Sequence, residues 1–366
     1  MEAKKRIGTR YVGIDLGKRT YEVAFVGKNG KVTKSNGKTF VAGRQALYNK
    51  LRPGDKVALE AGNLAFIMAK EIEKAVPGCK VYVLNPSHLA IIYASMKKTD
   101  KEDSLKLAHI LEDCREERLP LVPVPSEKEM NRRKIIAAYQ RAQGDRNREI
   151  NRLHGLFLSQ GITTKVKSDL ATAESRKEAV KELTGIERRE AEHLLKNLEQ
   201  CEQWIAELEK EMEVESAGDE QIKRLQSIPG IGPKTSFAFV ARVAAERFEN
   251  ASQVSNHLGL VPRVYISGDT VKYGSITKRG NGYIRGLLVQ AAWSLVLSNN
   301  GGKLKERFEY MTKEKSISKK KSIVAIARRL AEEMYALLRD GTRHESRPFT
   351  PEKGKAKKLA KAALSA

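Results

Sequence analysis

One stretch near the amino terminus constrains the fold most. Tyr11 to Val26 reads YVGIDLGKRTYEVAFV. Val12, Ile14 and Leu16 alternate as in a buried strand, Gly17-Lys18-Arg19 turns the chain, and Tyr21 to Val26 returns as a second strand. Within the first strand stands Asp15. A carboxylate among apolar strand residues needs a partner, because charges are almost never fully buried alone. A divalent metal, or a phosphate carrying one, meets that need.

The following residues extend an α/β pattern. Gly27 to Gly30 makes a hairpin turn into a strand near Lys31 to Phe40. A short helix is expected over Gly43 to Leu51. The strand Asp55 to Leu59 delivers Glu60 at its carboxyl end, and Gly62-Asn63 opens an apolar helix running to Ala75. Lys80 to Leu84 is another strand, and Asn85-Pro86-Ser87 starts a further helix. Hairpins first and alternating strands and helices later predict a mixed sheet with helices on both faces. Thr99-Asp100-Lys101-Glu102 fits a capping box before a helix carrying Leu105, Leu107, Ile110 and Leu111. Asp103 follows Asp100 by three residues, which puts both acids on one helix face. Pro120, Pro123 and Pro125 then mark an extended linker.

Residues 126–217 read as basic helix followed by coiled coil. Arg132, Arg133, Lys134, Arg141, Arg146, Arg148 and Arg152 are expected to meet nucleic acid. Farther on, Ala191, Leu194, Leu198, Cys201, Ile205, Leu208 and Met212 alternate at spacings of three and four. That seam signals a coiled coil or an antiparallel helix pair. Its flanks of Glu and Lys favour self-association, as a homodimer that pairs into a tetramer, over packing within its own domain.

Residues 218–342 are expected to be mostly α-helical. IKRLQSIPGIG, from Ile222 to Gly232, resembles a helix-hairpin-helix turn in which Gly230 and Gly232 aim backbone N–H groups at a phosphate. Leu260 to Gly282 reads as a basic loop with Arg263, Lys278 and Arg279, and Arg285 follows on the next helix; all four are expected to neutralise phosphates. The lysine-rich tail over 343–366 reads as disordered.

Charge fixes the class of partner. Lys and Arg number 68 against 45 Asp and Glu, a net charge of +23. Such a field favours nucleic acid. No apolar run approaches the length that spans a bilayer. Cys79, Cys114 and Cys201 are odd in number and form no paired motif, which suggests reduced thiols in a cytoplasmic protein. No histidine pair has zinc-ligand spacing.

Asp15, Glu60, Asp100 and Asp103 each have a bland reading as a turn, strand-end or first-turn acid. Together, over residues 1–125, they fit a two-metal site of the RuvC and RNase H class, in which Mg²⁺ ions clamp the attacking and leaving oxygens of phosphoryl transfer. GIDLG is also similar to the first phosphate loop of the actin, sugar-kinase and Hsp70 ATPases. The second phosphate loop and adenosine motif of those proteins are missing from this sequence.

The order of the four acids, the context KTDKEDSLKLA, the turn SIPGIGPKTSFAFVA, and the block GLVPRVYISGDTVKYGSITKRGNGYIRGLLVQAAW together resemble the DEDD transposases of insertion sequences. That family includes the pilin-gene invertase Piv, and its members are recombinases guided by a bridge RNA. The resemblance spans residues 10 to 300. Ser104, where many relatives have Ala, and Ile266, where a second Ser is frequent, are small departures. The resemblance implies a serine nucleophile after GLVPR, matching Ser267, with Ser275 as runner-up. It also implies double-stranded DNA and a structured guide RNA as partners, a phosphoserine intermediate, a Holliday junction, and a composite site from two protomers. A hydrolytic Holliday-junction resolvase using water is one alternative. A non-catalytic nucleic-acid-binding protein is the other.

Overall fold

The computed structural model describes residues 9–27, 29–86, 89, 100–163, 167–267 and 270–345. The chain divides into two compact units, residues 1–126 and 127–366.

The first unit is built on a five-stranded mixed sheet of order β3-β2-β1-β4-β5. Its strands are β1 (Tyr11–Leu16), β2 (Thr20–Val26), β3 (Val32–Lys38), β4 (Lys56–Glu60) and β5 (Lys80–Leu84). The hairpins make β1–β2 and β2–β3 antiparallel; the later connections make β1–β4 and β4–β5 parallel. Helices α1 (Val41–Tyr48) and α2 (Asn63–Ala75) cover one face, over Val12, Ile14, Val57 and Leu59. A hydrogen-bonded trio joins the two helices, with Arg44 Nε and Tyr48 Oη both donating to Glu71 Oε2.

Helix α3 (Asp100–Asp113) covers the other face through Leu107, Ile110 and Leu111, against Ala58, Tyr82 and Leu84. It lies so close to β1 that a Cβ placed on Gly13 would stand 2.5 Å from the Ala108 nitrogen and 2.8 Å from Leu107 Cβ, and would collide with the Ser104 carbonyl oxygen. Ser104 itself is 1 % exposed. Gly13 and the small Ser104 are what let this helix settle on the strand. The proline segment runs extended beside β5, with Val122 N–H donating to the Val83 carbonyl. The helix expected from Asn85 and the Thr99 cap fall mostly outside the described residues.

The second unit is organised by two long helices, α4 (Glu127–Ser159) and α6 (Gly185–Ser216), with the short α5 (Ala173–Val180) between them. They run antiparallel, since Asn131 bonds Glu215, Tyr139 bonds Glu209, Arg146 bonds Glu202 and Gln160 bonds Thr184. The heptad seam is therefore filled from within the chain, and its reading as a dimer contact is corrected. Ala191, Leu194 and Leu198 pack with Leu153 and Phe157 of α4. Ile205, Leu208 and Met212 pack with Ile135, Ile136 and Tyr139. Fully burying an aliphatic side chain contributes about 1.5–3 kcal/mol, so the seam alone is enough to hold the pair together. Between these two cores lies a charged waist. Glu202 accepts from Arg146 Nε at 2.9 Å and from Arg176 Nη2 at 2.7 Å, and Arg176 is 2 % exposed.

The regions read separately as 126–217 and 218–342 share the larger of these cores. It adds Ile222 and Leu225 of α7 (Glu220–Gln226), Phe237 and Phe239 of α8 (Pro233–Arg242), Val254 of α9 (Ala251–His257), and residues of α10 (Gly282–Leu297), α11 (Gly302–Glu309) and α12 (Lys319–Asp340). The basic loop expected over 260–282 is instead a two-stranded ribbon, β6 (Pro262–Ser267) and β7 (Thr270–Ile276), with Ser267 paired to Thr270. No helix of the described residues is long and apolar enough to cross a membrane. The three cysteines are free, and burial with Asp55 and Glu73 nearby pushes the Cys79 thiol up to about 12.

Candidate functional site

In the first unit the site is set by strand register. Gly13 pairs with Ala58, and both face α3. Two residues on, with the period of a strand, Asp15, next to last in β1, and Glu60, last in β4, fall on that same face. Asp15 also stands directly opposite Glu22 of β2. Three carboxylates thus occupy one row across three adjacent strands. Like charges directly opposite destabilise a sheet unless a cation offsets them. Glu22 was missed because its place depends on the β1–β2 register; the hairpin turn at Gly17 was the signal for it.

Helix α3 supplies the other acids. Asp103 precedes Ser104, the residue over Gly13, and its Oδ1 accepts from Lys106 Nζ at 3.0 Å. Asp100 is the first residue of α3, but its side chain lies outside the described residues. Among the described residues no three His, Cys, Asp or Glu side chains converge as a metal cage. The donor chemistry nonetheless fits a hard divalent ion, which characteristically takes one or two carboxylates together with water and substrate phosphates.

The second unit holds the remaining candidates. Ser267 closes β6 and is exposed, and Ser275 is exposed on β7. Gly268 and Asp269, which follow Ser267 in the sequence, lie outside the described residues. The ribbon displays an apolar and aromatic surface, with Tyr265 59 %, Ile266 71 % and Tyr273 72 % exposed, beside the exposed Arg263 and Lys272. An isolated two-stranded ribbon is marginal in water. Its exposed rings and cations suit a nucleic-acid surface.

Below the ribbon, the loop bearing Lys278 and Arg279 is locked in place. Lys278 adopts a positive φ of 54°, and its N–H donates to the Gly259 carbonyl. Gly280 lies flush against the His257 carbonyl, where no side chain would fit. Arg285 donates to the carbonyls of Leu258 at 3.1 Å and Arg279 at 2.8 Å. Arg285 thus shapes the loop through its Nη1, a role that its sequence position did not reveal. Lys278 and Arg279 remain exposed.

Several other assignments are corrected. Arg132 is 3 % exposed; it donates to Asp219 Oδ2 at 2.6 Å and to the Glu215 carbonyl, and lies over the Phe237 ring. Burial acts to raise the Asp219 carboxyl, but bonds from Arg132 and Lys128 outweigh it and hold the group below the usual range. Arg146 is held by Glu202. Arg133 donates Nε to the Ala241 carbonyl at 2.9 Å, which orients its half-buried guanidinium. The basic stretch of α4 thus mainly braces its own unit. Gly230 has a φ of 85°, and a Cβ there would stand 2.8 Å from the Ala291 carbonyl oxygen and the Leu295 nitrogen. Its Cα side packs on α10, whereas Gly232 is exposed at the start of α8.

Two family models match the chain. One, described as Transposase, the DEDD domain of the IS110 group, covers residues 12–160; the other, Transposase IS116/IS110/IS902 family, covers 222–309. A probable family 20 transposase of Pseudomonas aeruginosa is 27 % identical over 78 % of this chain and 83 % of its own length. The transposase for insertion sequence element IS1111A of Coxiella burnetii is 26 % identical, covering 74 % of this chain and 73 % of its own. The pilin gene-inverting protein of Moraxella bovis is 32 % identical over 34 % of this chain and 37 % of its own. A DEDD transposase domain implies divalent-metal catalysis, and the five-stranded sheet with its row of acids is the element that would carry it. With both models matched in chain order on a DEDD-bearing sheet unit and a mostly helical unit, the chain belongs to the IS110/IS116/IS902 family of transposases.

Proposed function

We propose that this transposase exchanges strands of double-stranded DNA through a phosphoserine linkage on Ser267, guided by a structured bridge RNA. The observation that carries the reading is Ser267 at the exposed end of β6, within the second matched family region and above a preformed basic loop. In the exchange, a bond forms between Ser267 Oγ and phosphorus as the phosphorus–sugar oxygen bond breaks. The serine proton is balanced by the sugar hydroxyl that leaves. One phosphodiester replaces another, so the reverse attack by a different sugar hydroxyl needs no ATP.

A free serine is a weak nucleophile and needs activation. Asp15, Glu60, Asp100 and Asp103 would hold the divalent ion, Mg²⁺ in this reading, with Glu22 adding charge beside Asp15. Such an ion neutralises phosphate charge and lowers the pKa of a nearby hydroxyl. Lys278 and Arg279 bind the DNA backbone, and Arg285 fixes the loop that carries them. Delegating sequence choice to RNA is supported by the lack, in the sequence, of a base-reading module such as a zinc finger or an RRM. We further propose that acids of one protomer serve Ser267 of another in a tetramer. Because the α4–α6 seam is filled internally, that association uses other surfaces.

Wild-type protein trapped on a nicked suicide substrate and digested should yield a peptide carrying a nucleotide on Ser267. An adduct on Ser275 would move the nucleophile. Strand cleavage with no serine adduct would make water the nucleophile and the protein a hydrolytic resolvase.

A further inference from the structure

Where α4 begins, two guanidiniums flank one carboxylate and a third stands near one of them. Glu129 Oε2 accepts from Arg247 Nη2 at 2.8 Å, while Oε1 lies 3.9 Å from Arg133 Nη2. Arg133 is oriented by its Nε bond to the Ala241 carbonyl. Arg242, the next residue after Ala241, brings the third guanidinium; its Nε is shut off from solvent without a hydrogen-bond partner among the described residues. Three cations against one anion leave a net charge of +2 in a half-buried place.

Burial and neighbouring charge act on these groups in the same direction. Burial, then the charges of Arg242 and Arg247, holds Arg133 below the usual arginine range despite Glu129. Burial does the same to Arg242. His257, packed edge-on against Phe248, is pushed down by burial and then by Arg133 and Arg242, so it stays neutral at pH 7 and adds no charge. Half-buried charge without a counter-ion is costly. The guanidinium fork matches phosphate oxygens in pairs of hydrogen bonds.

The cluster also adjoins the basic loop. The His257 carbonyl is the surface on which Gly280 rests, one residue beyond Arg279. From this geometry we infer that Arg133, Arg242 and Arg247 form a second anion site, which takes one backbone phosphate of a nucleic-acid strand running across Lys278 and Arg279. The inference rests on the reading of the protein as a nucleic-acid recombinase, but its test reads binding, not strand exchange.

In the full-length protein, Arg242→Gln should weaken binding of a fluorescent DNA duplex at moderate salt by about five- to tenfold, and should lower the slope of log affinity against log salt by about one. The same titration with a single-stranded RNA of equal length identifies the source of the phosphate: the polymer whose slope falls is the one seated there. Free Arg242→Gln protein should melt no lower than wild type, because a like charge has been removed; a purely structural arginine would lower the melt. Arg247→Gln should cause a similar loss of slope. Steep wild-type slopes left unchanged by both substitutions, for both polymers, would overturn the site while leaving the recombinase reading intact. A flat wild-type slope would overturn both together.

Discussion

Gly13→Ala isolates the contact that seats α3, the helix bearing Asp100 and Asp103, on β1. The added methyl carbon would stand 2.5 Å from the Ala108 nitrogen and 2.8 Å from Leu107 Cβ, besides meeting the Ser104 carbonyl. Ordinary carbon contacts need roughly 3.5 Å or more, so α3 must move off β1 by about 1 Å. Two of the three obstacles are backbone atoms, which cannot rotate away. Overpacking of a well-filled core costs about 1–3 kcal/mol, and this case belongs at the upper end. For a domain of this size, about 3 kcal/mol corresponds to a melting drop on the order of 10–20 °C. A misplacement of about 1 Å can cost roughly 100-fold in rate, because α3 carries Asp100 and Asp103. Scanning calorimetry should show the first unit melting early and the second unchanged, with nucleic-acid binding kept and strand cleavage strongly reduced. A variant that melts and cleaves like wild type would refute the idea that this strand–helix contact sets the acids.

Asp15→Asn should abolish strand cleavage in Mg²⁺ with the fold and nucleic-acid binding intact; cleavage at the wild-type rate would remove Asp15 from the metal site. Ser267→Ala should bind DNA and RNA normally yet give no covalent adduct, and mixing it with Asp15→Asn protein should restore some recombination if the site is shared between protomers. Affinity for DNA should drop about 10³–10⁵-fold between 50 and 200 mM salt if roughly six to ten phosphates are contacted, as fluorescence titration would report. Asp219 has a depressed carboxyl, so its contribution is full above the unfolded value of about 3.9 and is lost as pH falls through the folded value. Urea melts should therefore find Asp219→Asn less stable than wild type at neutral pH and equal to it in strong acid; an equal deficit at both would assign the loss to packing.

The sheet of the first unit was legible because its strands alternate cleanly and its turns are marked by Gly17, Gly30 and Gly54. Asp15 and Glu60 could be read as strand-end acids for the same reason, whereas Glu22 needed the register across the hairpin. In the second unit, helix periodicity was visible but its partners were not. The Ala191 to Met212 seam says that something packs there, and only tertiary structure identifies it as α4. Arg132 and Arg146 looked like surface cations because sequence does not reveal that Asp219 and Glu202 meet them. The ribbon was obscured by its glycines, hydroxyls and lysines, although the apolar runs Val264 to Ile266 and Val271 to Tyr273 flank the sequence Ser-Gly-Asp. Arg242 and Arg247 gave no local signal at all, since their cluster is assembled from three elements.

The charged waist between the two cores of the helix pair has a consequence for how the pair forms. Sliding α6 along α4 by a heptad would still set apolar residues against apolar residues over much of the seam. Sliding would carry Glu202 away from Arg146 and Arg176 together, and would leave the nearly inaccessible Arg176 without its carboxylate. A buried polar contact of this kind selects alignment more than it adds stability. The helices extend for about 50 Å at 1.5 Å per residue over the 33 residues of α4. Over such a length Glu202 acts as an indexing pin, fixing the distance from the small distal core to the basic loop to within a single helical turn.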